Sequence, residues 1–430
     1  MKDERTRRQF IRDVSLLSSS AVLGASMPWL KAMAEESQVG SSASDRVRLG
    51  FVGIGDRGRA LLLNCQQLEN VEIAFVCDNY EPHYQRAIEL TQGKAKAFYD
   101  YRKMLDEADN LDAVIIATPL HEHAHITIDF LNSGIHVFCE KSMARTLADS
   151  QVMALTANRT GKILQIGHQR MFNPAYLKAY ERAASGEIGQ ITQIRAYWHR
   201  NNDWRRPVPE GHPELERKIN WRMYDEYSAG LMTELASHQI QVANWFLGET
   251  PMQVMGSGSI CFWKDGREVY DNVACVYDYP KGVKVIYDSV ISNRKYGLEE
   301  QIMGHLGTIE PEVRKIYSEN PPSAPGFLQL INNLEKDIFE TIPIGGASWV
   351  PETALQYKGE YLVEDYQYDD TLLEMEGFVL AVRNGRPHPG LLREGYNATV
   401  AVLLGLQAMQ ENRIIDWPEE YAWEKNAELA

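Results

Sequence analysis

Residues 47–58 constrain this chain most. Val47-Arg48-Leu49-Gly50-Phe51-Val52 reads as an apolar strand and runs directly into Gly53-Ile54-Gly55-Asp56-Arg57-Gly58, after which 59–68 has a helical pattern. In a G-x-G-x-x-G turn the first glycine makes the tight bend, the second lets a pyrophosphate approach the backbone, and the third lets helix pack on strand. The helix N-terminus then offers unpaired N–H groups to the phosphates. A glycine turn alone is weak evidence, but here a second strand at 71–76 ends at Asp78, about 20 residues after Gly58, where an acid binds the adenosine ribose. A carboxylate there repels a 2′-phosphate, and Asn79 and Tyr80 follow it rather than an arginine. The pattern favours NAD over NADP.

The alternation continues downstream. Helical stretches at 84–91, 101–108, 122–133 and 149–160 alternate with strands at 97–99, 112–117, 136–139 and 163–166. Such alternation predicts an α/β Rossmann domain with a doubly wound parallel sheet over 46–167, whose ligands lie outside the carboxyl ends of the strands. Two strand ends carry chemistry. Thr118-Pro119 leads into His121, His123 and His125, spacing that diverges on a helix and lacks a completing carboxylate cluster, so a loop on the nicotinamide side is expected and no metal. Glu140-Lys141 follows a buried strand, where the lysine would hydrogen-bond a substrate hydroxyl or favour alkoxide development. The expected cofactor-binding residues are Gly53, Gly55, Asp56, Arg57, Gly58, Asp78, Thr118, Pro119, His123 and Glu140.

The N-terminus reads as an address. Basic residues around Arg7-Arg8, followed by Phe10 and Ile11, precede a weakly apolar stretch and Ala32-Met33-Ala34. This order matches a twin-arginine signal over 1–34, with a Ser-rich linker over 35–45, and implies the twin-arginine export machinery as a partner and a periplasmic or otherwise exported location. The segment 1–34 carries six basic and three acidic residues, so its removal takes the net charge from -15 to -18. An acidic surface disfavours nucleic acid and anionic membranes, and no later apolar run is long enough for a stable membrane anchor. Five cysteines without C-x-x-C spacing read as buried free thiols.

These features together resemble the glucose–fructose oxidoreductase / inositol dehydrogenase (Gfo/Idh/MocA) family, on Gly53-Ile54-Gly55-Asp56-Arg57-Gly58, Ala117-Thr118-Pro119 with His123, Glu140-Lys141-Ser142 and residues 230–238. The resemblance implies that Lys141 contacts the reacting hydroxyl, that His238 is the acid/base, and that Glu234 stands where an aspartate is usual. Independently, Glu234 and His238 are spaced i, i+4, which predicts one helix face and a carboxylate orienting an imidazole. Ser142 replaces the family's proline, and Gln241 stands where a second acid often follows. The resemblance also implies an α+β C-terminal domain over 168–430 with an open, mainly antiparallel sheet that often mediates homo-oligomerisation. Strand-like stretches at 191–197, 254–260, 272–279 and 283–290 fit it, as do amphipathic helices at 374–382 and 396–409. Residues 311–364 read as an irregular insertion.

Upstream of Glu234 lies a run rich in aromatic and polar side chains. Trp198, Arg200, Trp204, Arg205, Trp221, Arg222 and Tyr224 combine faces for C–H surfaces with donors for hydroxyls, as a sugar or glycoside site needs, and the arginines leave room for an acidic group. The expected activity is NAD-dependent oxidation of a ring hydroxyl of a sugar, glycoside or polyol, with tightly bound, recycled NAD. Two alternatives stand beside it: an NAD-dependent redox-assisted glycoside hydrolase, and a non-catalytic NAD-binding sensor on the same scaffold.

Overall fold

The computed structural model describes residues 46–319, 359–363, 369–388 and 390–425. The export signature and most of 311–364 lie outside the described residues. The first domain is built on a six-stranded sheet: β1 (Val47–Val52), β2 (Val71–Cys77), β3 (Lys96–Phe98), β4 (Ala113–Ile116), β5 (His136–Glu140) and β6 (Leu164–Gly167). Their order is β3-β2-β1-β4-β5-β6 with every neighbouring pair parallel. The chain therefore reverses direction across the sheet between β1 and β4, which opens a crevice at the carboxyl ends of those strands. Between them run α1 (Asp56–Cys65), α2 (Glu81–Leu90), α3 (Tyr101–Leu105), α4 (His123–Asn132) and α5 (Leu147–Thr160).

After α6 (Pro174–Ala184) the chain forms the second sheet: β7 (Ile191–His199), β8 (Gln253–Ser259), β9 (Asn272–Asp278), β10 (Lys284–Val290), β11 (Leu298–Gly304), β12 (Gly307–Glu310), β13 (Lys315–Ser318), β14 (Glu360–Tyr361) and β15 (Ile415–Asp416). The order is β14-β13-β12-β11-β7-β10-β9-β8-β15. Only β7 and β10 pair in parallel, so this sheet is mixed and mainly antiparallel. The four expected strands are present, but β11 was not legible in the sequence. Its adjacent Glu299 and Glu300 look like surface, yet both are buried. Glu299 accepts backbone N–H bonds from Glu300, Glu312 and Val313, and Glu300 takes Arg170 and the Tyr176 hydroxyl. Burial pushes the two carboxyls up to about 9 and about 7. The segment read as irregular from residue 311 contributes β13 and β14 to this sheet.

The short α7 (Glu216–Ile219) and then α8 (Ser237–Leu247) lie between β7 and β8 in sequence, and α9 (Asp370–Asn384) and α10 (Leu391–Glu411) follow β14. The last two helices cross the expected boundary at 167/168. Met375, Phe378 and Val379 of α9 share a buried cluster with Leu49, Phe51, Leu61 and Phe138 of the first sheet's layer. Most of α10 is buried between the two halves, packed on α5, β6, α8 and β8. Four cysteines are buried as expected, whereas Cys261 is exposed, and all five are free.

The glycine turn is fixed by packing at its two ends and open in its middle. Gly53 has φ +89°, and a Cβ on Gly58 would lie 1.9 Å from the Gly53 carbonyl oxygen, a clash of backbone with backbone. A Cβ on Gly55 would meet only the His83 ring, at 3.6 Å. Gly58→Ala is therefore expected to destabilise the fold by about 1–3 kcal/mol. Gly55→Ala should melt like the parent and lose affinity for a dinucleotide. Thermal unfolding and NAD titration of both variants check this, and equal melting temperatures for the two would contradict it.

Candidate functional site

The site grows from the carboxyl edge of the first sheet. Asp78, at the end of β2, accepts from Ile54 N at 2.7 Å and from Tyr80 N at 2.8 Å, and His83 Nδ1 lies 3.3 Å away. Its first task is thus to clamp the glycine turn, with further lone pairs left for a ribose. Arg57 donates to Glu140 at 2.6 Å and to Thr371 of α9 at 3.0 Å, and stands 3.8 Å from buried Glu374. Burial pushes the Glu374 carboxyl well up, although Arg57 opposes this. Sequence reasoning placed Arg57 and Glu140 on the cofactor; the structure engages them with each other, tying the glycine turn to β5.

At the end of β4, Thr118 Oγ1 is buried with no protein partner, which suits a ligand hydrogen bond. His123 is buried and bridges two carbonyls, Ser142 O at 2.9 Å and Thr118 O at 3.0 Å. It links the loops that follow β4 and β5. His121 and His125 both reach Glu122, at 3.1 and 3.2 Å. The open backbone at Gly55, the fixed turn at Gly53 and Gly58, and the orphaned Thr118 hydroxyl fit a dinucleotide. The residues expected to hold it are Gly53, Gly55, Asp56, Gly58, Asp78, Thr118 and Pro119.

The chemistry gathers where β5 meets the second domain. Met232–Ala236 is a π-helical turn leading into α8, a feature frequent at functional sites. This wide turn presents carbonyls toward Lys141, whose Nζ donates to Glu234 O at 2.9 Å and Thr233 O at 3.3 Å. The Lys141–Ser142 peptide is cis, and Ser142 Oγ also donates to Thr233 O, at 3.1 Å. The i, i+4 spacing predicted that the Glu234 carboxylate would orient His238. It does not: Glu234 accepts from Arg222 Nε at 2.7 Å, and no described hydrogen bond or ion pair joins it to His238. The helix departs from α geometry at Glu234, so the usual facing rule fails there.

His238 is buried, its ring 6.0 Å from that of His168 and 5.6 Å from that of Trp198. Burial first, then the charges of Lys141 and Arg170, holds its pKa well below the histidine range. Burial also lowers Lys141, against the opposing charges of Glu234 and Glu140. Burial alone would raise Glu234, but Arg222 and Lys141 outweigh it and hold the carboxyl low. Among the expected substrate residues, Arg200 lies 4.8 Å from the ring of Trp198, which sits beside His238, and Arg222, which binds Glu234, lies 4.3 Å from the Trp221 ring. Trp204 packs against the hydrophobic core. Arg205 and Tyr224 are committed elsewhere: both bind Glu216, and Arg205 also pairs with Asp265, so neither offers a free group to an acidic substrate.

Sequence reasoning missed His168 and Arg170. His168 follows β6 directly, a strand end of the kind that carries ligands, so that signal was available. Arg170 lies 5.7 Å from the Trp198 ring while paired to Glu300 and Glu312, which no local pattern announces.

A profile described as the Gfo/Idh/MocA oxidoreductase family, NAD-binding Rossmann fold, matches residues 47–168, and that of the family's C-terminal domain matches 176–310. The chain belongs to the Gfo/Idh/MocA oxidoreductase family. It is similar to the inositol 2-dehydrogenase of Salmonella paratyphi B (strain ATCC BAA-1250 / SPB7), 29% identical over 206 residues that cover 47% of this chain and 55% of that protein. It is similar too to the glycosyl hydrolase family 109 protein 1 of Shewanella sp. (strain MR-4), 30% identical over 187 residues, 41% of this chain and 39% of that protein. The chain thus spans about half, or less, of the length of these curated relatives. Among solved structures, levoglucosan dehydrogenase in complex with NADH and levoglucosan superposes with a TM-score of 0.68 at 19% identity, covering 87% of this chain and 100% of that one. That likeness confirms the Gfo/Idh/MocA fold.

The charge arrangement fixes the sign of a titration. A depressed pKa means that His238 stays neutral at pH values below the ordinary 6.5, and removal of the Lys141 charge should let it protonate more easily. Histidine Cε1–H NMR is expected to show no His238 titration near pH 6.5 and a higher midpoint in Lys141→Met. A midpoint at 6.5 in both proteins would contradict the arrangement.

Proposed function

We propose that this protein is an NAD-dependent oxidoreductase acting on a ring hydroxyl of a sugar, glycoside or polyol. The observation that supports the reading most is a buried neutral imidazole and a buried lysine amine, flanked by Trp198 and Arg222, next to a strand end of the domain whose glycine turn fits a dinucleotide. The inositol dehydrogenase and levoglucosan dehydrogenase named above support the substrate class. A preference for NAD over NADP is supported by Asp78 at the end of β2, where a carboxylate would repel a 2′-phosphate. The twin-arginine pattern supports export, and an exported enzyme without a free cofactor pool needs NAD that stays bound and is recycled; a homo-oligomer built on the second sheet accords with the family.

When bound, the nicotinamide supplies the hydride-accepting carbon. His238, neutral at working pH, takes the hydroxyl proton at a ring nitrogen. Lys141 places two of its three donor positions on the Thr233 and Glu234 carbonyls, which leaves the third for the oxygen that becomes an alkoxide. Arg222 keeps Glu234 ionised, and Glu234 in turn opposes the loss of the Lys141 proton to burial. Trp198 and Trp221 offer faces to the ring carbons.

A second reading is favoured by one observation, the similarity to a glycosyl hydrolase family 109 protein. The same half-step would then be followed by elimination, hydration and re-reduction, giving net hydrolysis. Aglycone release from aryl glycosides without net NADH identifies the hydrolase, whereas a stable keto sugar identifies the dehydrogenase. In either case His238→Ala should lower kcat/KM by about 10²–10⁴ across a panel of sugars and glycosides, the range for loss of a general base. Unchanged reduction of bound NAD would overturn the assignment.

A further inference from the structure

One segment of the second domain contacts the carboxyl edge of the first sheet beyond four of its six strands. Arg206 pairs with Asp56, just beyond β1. Lys218 Nζ donates to Asn79 O at 2.6 Å and lies 5.7 Å from the Tyr80 ring, both residues just beyond β2. The Tyr227 ring sits 4.6 Å from that of His121, beyond β4. Arg145, beyond β5, donates to Asp225 O at 2.8 Å and to its carboxylate at 3.0 Å. In the sheet, β2, β1, β4 and β5 are consecutive neighbours. A dinucleotide in this fold spans those same strand ends, with its pyrophosphate on the glycine turn.

The segment is braced as a unit. Glu216 binds Arg205, the Tyr224 hydroxyl at 2.8 Å and Asn220 Nδ2 at 3.0 Å. Buried Asn220 accepts from Arg206 N at 2.7 Å and donates to Arg206 O at 3.1 Å. Arg217 covers Tyr224, 4.2 Å from its ring, and reaches Glu268 at 2.9 Å. Electrostatics suit the same role. Asp56 opens α1, where its backbone N–H, with those that follow, would receive a pyrophosphate while its bare carboxylate would repel it. Arg206 cancels that charge, and Lys218 sets a cation beside the residues that follow Asp78.

We propose that residues 201–227 form a latch across the bound nicotinamide dinucleotide, which leaves only when the latch lifts. Arg206 and Lys218 are its fastenings at the pyrophosphate and adenosine ends, and Arg205, Glu216, Asn220 and Tyr224 keep it in shape. The latch rests on the dinucleotide reading above and gives retained NAD a structural cause.

The test is the dissociation rate of NADH from the intact protein, followed by fluorescence after a chase with excess NAD. Exposed ion pairs are individually weak, so the first variant removes both fastenings, Arg206→Gln with Lys218→Met. It should release NADH roughly tenfold faster than the parent while keeping the parent's melting temperature. The second variant, Asp56→Cys with Arg206→Cys, should release NADH roughly tenfold more slowly when oxidised and recover on reduction. Parent-like release from both variants would overturn the latch and leave the dinucleotide site standing. A parent protein that binds no NADH would overturn both.

Discussion

The site depends on one shared carboxylate. A lysine amine and an imidazole held together away from water repel each other whenever both are charged, and burial already disfavours each charge. Glu234 relieves this at Lys141, and Arg222 lets Glu234 stay ionised despite its own burial. Among the described residues no carboxylate pairs with His238, and burial with the charges of Lys141 and Arg170 keeps it neutral. A buried imidazole held neutral and a buried lysine amine whose charge the neighbouring carboxylates favour thus act on each other electrostatically. The π-helical turn serves the same end, because it sets the Thr233 and Glu234 carbonyls against Lys141.

The second domain contributes to two places at once. Trp198 lies beside His238 and Arg222 binds Glu234, while Arg206, Lys218, Asp225 and Tyr227 contact residues that follow β1, β2, β5 and β4 of the first sheet. The first domain is likewise not closed on itself. Its glycine turn is tied through Arg57 to Glu140 and to Thr371 on α9, a helix from the far end of the chain. The glycine turn, the strand end at Glu140 and the C-terminal helix are therefore one connected body, and a change in the spacing of one alters the others.

Features that rest on local pattern were legible in the sequence. The strand–glycine–helix turn, the alternation of strands and helices and the strand end at Glu140-Lys141 all follow from short-range periodicity and from what glycine alone permits. Features that rest on partners far along the chain were not. Glu299 and Glu300 read as surface until Arg170, Tyr176 and backbone donors enclose them. Arg205 and Tyr224 look like sugar ligands until Glu216 takes both. Glu234 loses its expected partner because the turn around it is wider than an α-helix, and no residue type announces that. His123 falls between: its burial was unforeseen, although its place at a strand end was clear.

Both enzymatic readings share one event, transfer of hydrogen from a ring carbon to bound nicotinamide, and that event can be observed directly. The protein is loaded with NAD, mixed with a glycoside deuterated at its ring carbons, and quenched within the first turnover; the cofactor is then released and weighed by mass spectrometry. The account predicts deuterium on the nicotinamide of the parent protein and almost none in His238→Ala. Unlabelled cofactor from the parent, with the glycoside bound or consumed, would contradict the redox role of the site.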